Sequence, residues 1–156
     1  MKSIYLDNAA TTKLAPEVAD AMIPVLSEVY GNPSSSHAVG RKAKALIETS
    51  RREISKILGC EPRSITFTSG GTEADNLALR AAVVDLDCKR IVTSPAEHSA
   101  VIASSEKMAK LFGVEVVHVK HFKDGTIDCE NLCEILSTGP KTLVSLMHAN
   151  NEIGVI

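Results

Sequence analysis

Phe67-Thr-Ser-Gly-Gly-Thr-Glu-Ala-Asp-Asn-Leu-Ala-Leu79 reads as the end of a strand, a glycine turn and the start of a helix. Ser64-Ile-Thr-Phe-Thr68 alternates polar and apolar residues, the pattern of a half-buried strand. Gly70-Gly71 gives the backbone access to conformations that a side chain forbids. Thr72 is placed to act as an N-cap, with Asp75 three residues on to complete a capping box. A helix start of this kind offers free N–H groups and the positive end of a dipole, which suits a phosphate. The hydroxyls of Ser69 and Thr72 add two possible donors. The same residues also suit an ordinary capped helix.

Outward from this stretch, strands alternate with helices. Upstream, Pro16 opens a helix over 17–30, and Pro24 inside it predicts a kink or a split. Tyr30-Gly-Asn-Pro-Ser-Ser-Ser-His37 has the composition of a loop. Residues 38–58 form a helix with Ala43, Ile47, Ile54, Ile57 and Leu58 on one face, ended by Gly59. Downstream of the glycine turn, a helix over 73–84 precedes a strand at 89–94. A helix follows to Phe112, then a strand at 114–119. A turn at 123–126, a short helix at 131–137 and a strand at 142–147 complete the order.

Such alternation predicts an α/β fold, a mainly parallel sheet with helices on both faces. In open sheets of this class, ligands bind beyond the C-terminal ends of the strands. Three polar clusters, Thr68–Thr72, Ser94–Ser99 and His148–Glu152, fall at such ends and are expected to converge on one edge. That convergence favours the phosphate reading of the glycine turn. His98, at a strand-to-helix junction, suits ring stacking or proton transfer, or simply a solvent-exposed helix start. Asn150 and Asn151 are neutral amides suited to a phenolic or carboxylate oxygen, or to an Asn-rich turn. His118 and His121 read as structural or solvent-exposed, away from these clusters.

Composition narrows the function. The 156 residues are 44% hydrophobic and 23% charged, as in a soluble globular domain. A net charge of −2 and scarce aromatics give no basis for nucleic-acid or anionic-membrane binding. No apolar run approaches spanning length, and Asp7 interrupts any signal-like segment, so a cytoplasmic location is expected. Cys129 and Cys133 share a helical spacing, but no second pair matches them as a zinc site. Cys60, Cys88, Cys129 and Cys133 read as reduced thiols.

Tyr5-Leu-Asp-Asn-Ala-Ala-Thr-Thr12, Gly31-Asn-Pro-Ser-Ser-Ser-His37, Thr68-Ser-Gly-Gly-Thr-Glu-Ala-Asp-Asn76, Glu97-His98 and His148-Ala-Asn-Asn-Glu-Ile-Gly154 stand in the order and spacing of the cysteine desulfurases. The chain resembles their NifS/IscS-like branch, within the aminotransferase class V group of pyridoxal 5'-phosphate (PLP) enzymes. The resemblance implies a fold-type I enzyme that converts L-cysteine to L-alanine and leaves a persulfide on an enzyme cysteine. That sulfur would pass to acceptor or scaffold proteins for iron–sulfur cluster assembly or tRNA thiolation, from a homodimer. By motif position, the Gly71 N–H and Thr72 hold the PLP phosphate. His98 stacks on the ring and takes part in proton transfer. Asn151 bonds the cofactor near its phenolic oxygen and lies beside the substrate carboxylate. Asn8–Thr12 and Gly31–His37 line the approach.

The family pattern continues where this sequence does not. It calls for an Asp and a Gln at the cofactor ring, a Ser-x-His-Lys segment with the Schiff-base lysine, and a loop with the acceptor cysteine. None of these motifs occurs in residues 1–156. Residues 1–156 are therefore expected to be the N-terminal segment and first part of the PLP-binding large domain, inactive alone, without the rest of that domain or the small domain. A cloned or proteolysed fragment is the favoured reading, with half of a split enzyme and a non-catalytic relic or regulator as its alternatives. A selenocysteine lyase, another class V lyase and a non-catalytic phosphate- or partner-binding module are the alternatives. Uncovered apolar helix faces and sheet edges are expected to follow.

Overall fold

The computed structural model describes residues 3–156. The element order is α1 (Pro16–Glu28), α2 (Ala38–Leu58), a 3-10 turn (Pro62–Ser64), α3 (Gly71–Val84), β1 (Arg90–Thr93), α4 (Ser99–Phe112), β2 (Glu115–His118), α5 (Cys129–Ser137) and β3 (Thr142–Val144). Contacts divide the chain into two units, Met1–Phe67 and Thr68–Ile156.

In the second unit every residue of β1 is buried. A strand apolar on both faces belongs at the centre of a parallel sheet, and β1 pairs in parallel with β2 on one side and β3 on the other. Arg90 stands opposite both Glu115 and Thr142, and the strand order is β2-β1-β3. The crossover through α4 therefore runs one way across the sheet and that through α5 the other. Right-handed connections then put α4 and α5 on opposite faces. α3 packs along α4 and touches β3. Leu79, Val83, Ile91, Val101, Met108 and Val114 form the core between these helices and the sheet, with Val116 and Leu143 at its border. Two hydroxyls inside, Thr93 Oγ1 and Ser105 Oγ, have no hydrogen-bond partner among the described residues.

The buried Arg90 guanidinium secures the opposite end of the strands. It donates from Nε to Thr142 Oγ1 and from Nη2 to the Thr138 carbonyl, both at 2.9 Å. At the C-terminal end of α4, Gly113 takes the left-handed conformation (φ 66°) that closes the helix.

The first unit departs from its sequence reading in two places. The strand expected at 64–68 does not form. Pro62 opens a 3-10 turn, and Ile65 leaves it extended (φ −92°, ψ 124°) without a ladder. Arg51 of α2 claims this segment instead, donating to the Ile65 carbonyl and lying 4.8 Å from the Phe67 ring centroid. The predicted split at Pro24 is also absent. α1 runs through it as one helix, because α1 buries no residue and water can satisfy the carbonyl that proline leaves free. Ser27 Oγ caps the Ile23 and Pro24 carbonyls at 3.1 and 3.3 Å.

α2 has the predicted bounds, with His37 at its N-cap and Gly59 left-handed (φ 65°) at its end. Its predicted apolar face is only partly covered: Ala43 is buried, whereas Ile57 is 85% exposed. The loop before it folds tightly onto its first turn. A Cβ on Gly40 would stand 2.5 Å from the Asn32 carbonyl oxygen, and one on Gly31 would overlap the Val39 carbonyl. Among the described residues no helix is long and apolar enough to cross a membrane.

Candidate functional site

α3 and α4 both run antiparallel to the strands they precede or follow, so their N-termini lie at the C-terminal edge of the sheet. The start of α3 differs from its sequence reading. Gly70, not Thr72, is the N-cap, and it offers no side-chain acceptor. Asp75 makes no capping box. The box role passes to Glu73, whose Oε2 accepts from the Ser69 N–H and the Ser69 hydroxyl, both at 2.6 Å. Those two bonds, the hydroxyl first, hold the Glu73 carboxyl below its ordinary value of 4.5. Thr72 lies inside the first turn, exposed.

The consequence for ligand binding is direct. The Glu73 charge is turned back on Ser69, and no side chain caps the N–H groups at Gly71 and Thr72. Neither glycine is in a left-handed conformation, so the conformational access that glycine gives goes unused, and a Cβ on either would meet nothing within 4 Å. The helix start is open from outside. An anion fits there.

His98 is the N-cap of α4. Its Nδ1 accepts from the Ala100 N–H at 3.1 Å. In the neutral ring the proton therefore sits on Nε2. The ring is exposed at the sheet edge. Asn151 is also exposed and donates from Nδ2 to Glu152 Oε1 at 2.9 Å. His98 and Asn151 line one cavity of about 260 Å³, together with Glu97, Met147 and Asn150. A second cavity of about 390 Å³ adjoins it and shares Glu97, Met147 and Asn150 as its wall.

His121 corrects the sequence reading most clearly. It is not remote from the strand-end clusters: its Nε2 is 2.8 Å from Ser94 Oγ, and both residues line the larger cavity. Ser94 Oγ also accepts from the Ala96 N–H at 3.0 Å. The link was readable in principle, since His121 follows β2 as Ser94 follows β1, and adjacent parallel strands place such positions side by side. Asn150 takes the turn role that its sequence allowed, and it and Glu97 also bridge the loops after β1 and β3, which the sequence reading did not anticipate. Asn8–Thr12 and Gly31–His37 belong to the other unit. The first is a turn with the Ala10 and Thr11 N–H groups on the Asp7 carbonyl. In the second, His37 Nδ1 accepts from Gly40 N–H at 3.3 Å. The cysteines are free, with Cys88 buried, and no cluster suited to a metal occurs among the described residues.

The aminotransferase class-V family model matches residues 4–156. A cysteine desulfurase of Cereibacter sphaeroides is 46% identical over 159 residues, covering 100% of this chain and 41% of that protein. A cysteine desulfurase IscS of Dictyoglomus turgidum is 43% identical over 157 residues, covering 99% and 39%. A NifS-like protein of known structure superposes with a TM-score of 0.81 at 36% identity, over 93% of this chain and 40% of its own. SspA in complex with cysteine superposes with a TM-score of 0.86 at 30% identity, over 96% and 43%. The chain spans about two fifths of the length of the curated relatives it matches. Its parallel α/β architecture is theirs, its motifs match across nearly the whole sequence, and the chain belongs to the aminotransferase class-V family.

Proposed function

We propose that this chain carries the phosphate- and ring-holding part of a PLP-dependent cysteine desulfurase, corresponding to the N-terminal segment and first part of the PLP-binding large domain. The observation that carries the reading is the single cavity lined by both His98 and Asn151, at the sheet edge that also bears the uncapped start of α3. The donor set fits the cofactor: open N–H groups for a phosphate, an imidazole face for a ring and a neutral amide for a phenolic oxygen.

When bound, PLP supplies an electron sink for reaction at the substrate's α-carbon. The chain's residues do the holding. The Gly71 N–H and the Thr72 hydroxyl donate to phosphate oxygens. His98 presents its ring as a stacking face, and its Nε2 is the atom that carries or gives up a proton. The Asn151 amide exchanges its exposed bond to Glu152 for one to the phenolic oxygen or the substrate carboxylate. L-cysteine is the proposed substrate. A homodimeric, cytoplasmic enzyme delivering sulfur to acceptor or scaffold proteins, for iron–sulfur clusters or tRNA thiolation, is the proposed setting. The activity is proposed for a protein of the relatives' length, of which this chain spans about two fifths.

Pyridoxamine 5'-phosphate tests the reading, because it has the ring and phosphate but no aldehyde to react with surface lysines. Thr72→Ala removes one hydroxyl donor to the phosphate, worth roughly 1–3 kcal/mol, and is expected to weaken binding by about fivefold to 150-fold. Equal affinity in the variant would put the phosphate elsewhere.

A further inference from the structure

Two hydrogen bonds cross between the loops that follow β1 and β3. The Met147 N–H donates to the Glu97 carboxylate, and Asn150 Nδ2 donates to the Ala96 carbonyl at 2.8 Å. Each bridging residue is the immediate neighbour of a proposed cofactor contact: Glu97 precedes His98, and Asn150 precedes Asn151.

Asn150 does more than bridge. Its Oδ1 accepts from the Glu152 and Ile153 N–H groups at 2.9 and 3.2 Å. Its main chain bonds the Val155 carbonyl and the Gly154 N–H, both at 2.8 Å. One planar amide thus closes the turn that carries Asn151 and ties that turn to the loop that carries His98. The job needs a donor and an acceptor on the same short group. Aspartate would keep the acceptor and lose the donor, setting a carboxylate against the Ala96 carbonyl. The Glu97 bond is charge-assisted and so among the stronger ones available to a backbone N–H. Glu97 and Asn150 are both half-buried, which limits competition from water.

We propose that Glu97 and Asn150 are positioning residues. Together they fix the separation of His98 from Asn151 and hence the orientation of a ring held between them. This rests on the cofactor reading given above, but the two parts can fail separately.

The test uses the 156-residue chain and the variants Glu97→Ala, Glu97→Gln and Asn150→Asp. Without ligand, amide hydrogen exchange at Met147 reports the bridge directly. Exchange there is expected to quicken about tenfold in Glu97→Ala, the scale of one lost charge-assisted bond, and to quicken also in Asn150→Asp, where loss of the Ala96 bond frees the neighbouring bridge to open. Glu97→Gln keeps an acceptor and is expected to restore most of the protection. With pyridoxamine 5'-phosphate, the circular dichroism induced in the ligand reports its fixed orientation. That band is expected to fall by about half or more in Glu97→Ala and Asn150→Asp, while affinity changes less than about threefold because the phosphate is held at α3.

An unprotected Met147 amide in the unmodified chain overturns the proposal, whatever the variants do. So does wild-type exchange in Asn150→Asp, a Glu97→Gln no better protected than Glu97→Ala, or an undiminished induced band. If the unmodified chain binds no pyridoxamine 5'-phosphate, the cofactor reading fails and takes the ring-orienting role with it. The exchange data then still decide whether the loops are bridged.

Discussion

Replacing His98 by alanine removes two things that can be measured apart. The first is the cap: Nδ1 accepts from the Ala100 N–H at 3.1 Å, in the first turn of a 14-residue helix. Loss of an N-cap acceptor costs about 1 kcal/mol, within a range of roughly 0.5–2. In a chain of 156 residues that corresponds to a melting point lower by about 2–4 °C. The second is the ring. An aromatic face stacked on a cofactor ring contributes about 0.5–1.5 kcal/mol beyond buried area, or roughly twofold to tenfold in affinity. Two companion variants separate the terms. His98→Asn keeps a good N-cap and loses the ring, so it should melt like the unmodified chain and bind pyridoxamine 5'-phosphate as weakly as His98→Ala. His98→Phe keeps a ring and loses the acceptor, so it should lose stability and retain much of the affinity. Thermal unfolding and ligand titration on the three variants complete the set. If His98→Asn melts with His98→Ala, the cap is not what His98 contributes to stability. If all three bind as the unmodified chain does, the ring is not in the site.

The remaining predictions concern the frame around the site. Gly40→Ala must push its Cβ against the Asn32 carbonyl oxygen, 2.5 Å away, and should destabilise by about 1–3 kcal/mol in chemical denaturation. Gly71→Ala meets open space and should instead stabilise by about 0.4–1 kcal/mol. Because Ser69 holds the Glu73 carboxyl below 4.5, its contribution to stability is complete above 4.5 and is lost as the pH falls through the lowered value. Ser69→Ala should bring the Glu73 titration, followed by NMR at the carboxyl carbon, back towards 4.5. Thr93→Val and Ser105→Ala each remove a buried hydroxyl that has no partner, and each should raise stability by on the order of 1 kcal/mol. Loss of stability on Thr93→Val would mean that the hydroxyl is bonded after all.

What the sequence disclosed, and what it hid, follows from how far each signal reaches along the chain. Ala38–Leu58 was legible from end to end, because a helix is a local object and Gly59 can end it by its own conformation. β1 was legible because Ile91-Val92-Thr93 is a run of β-branched residues, which favours a strand. Residues 64–68 carried an equally good strand pattern and formed no strand. Alternation records a preference for extended backbone, whereas a strand also needs a neighbour, and here Arg51 took the Ile65 carbonyl instead. The start of α3 was read as a helix start but with the wrong cap. Thr72 and Asp75 stand at the box spacing of three, whereas Ser69 and Glu73 are four apart with Gly70 as the N-cap between them, a pairing that the box pattern does not anticipate. Of the site, the motifs exposed His98 and Asn151, while the bonds that join their loops span 50 and 54 residues of sequence and have no local signature.

The strand order gives these long-range bonds a common cause. In a sheet ordered β2-β1-β3, the central strand is the one flanked by both others, so the loop leaving β1 is adjacent to the loops leaving β2 and β3. The bonds follow that geometry. Ser94 meets His121 after β2, while Ala96 and Glu97 meet Asn150 and Met147 after β3. Five residues, Ser94–His98, thus receive tethers from two sides before the chain enters α4. His98, the N-cap of α4, is where that doubly tethered loop ends. The burial of β1 and the two-sided tethering of the loop before α4 are two results of the same central position. Shifting the β1–β3 register by one residue would therefore do more than disturb the core: it would also part Glu97 from Met147 and Ala96 from Asn150.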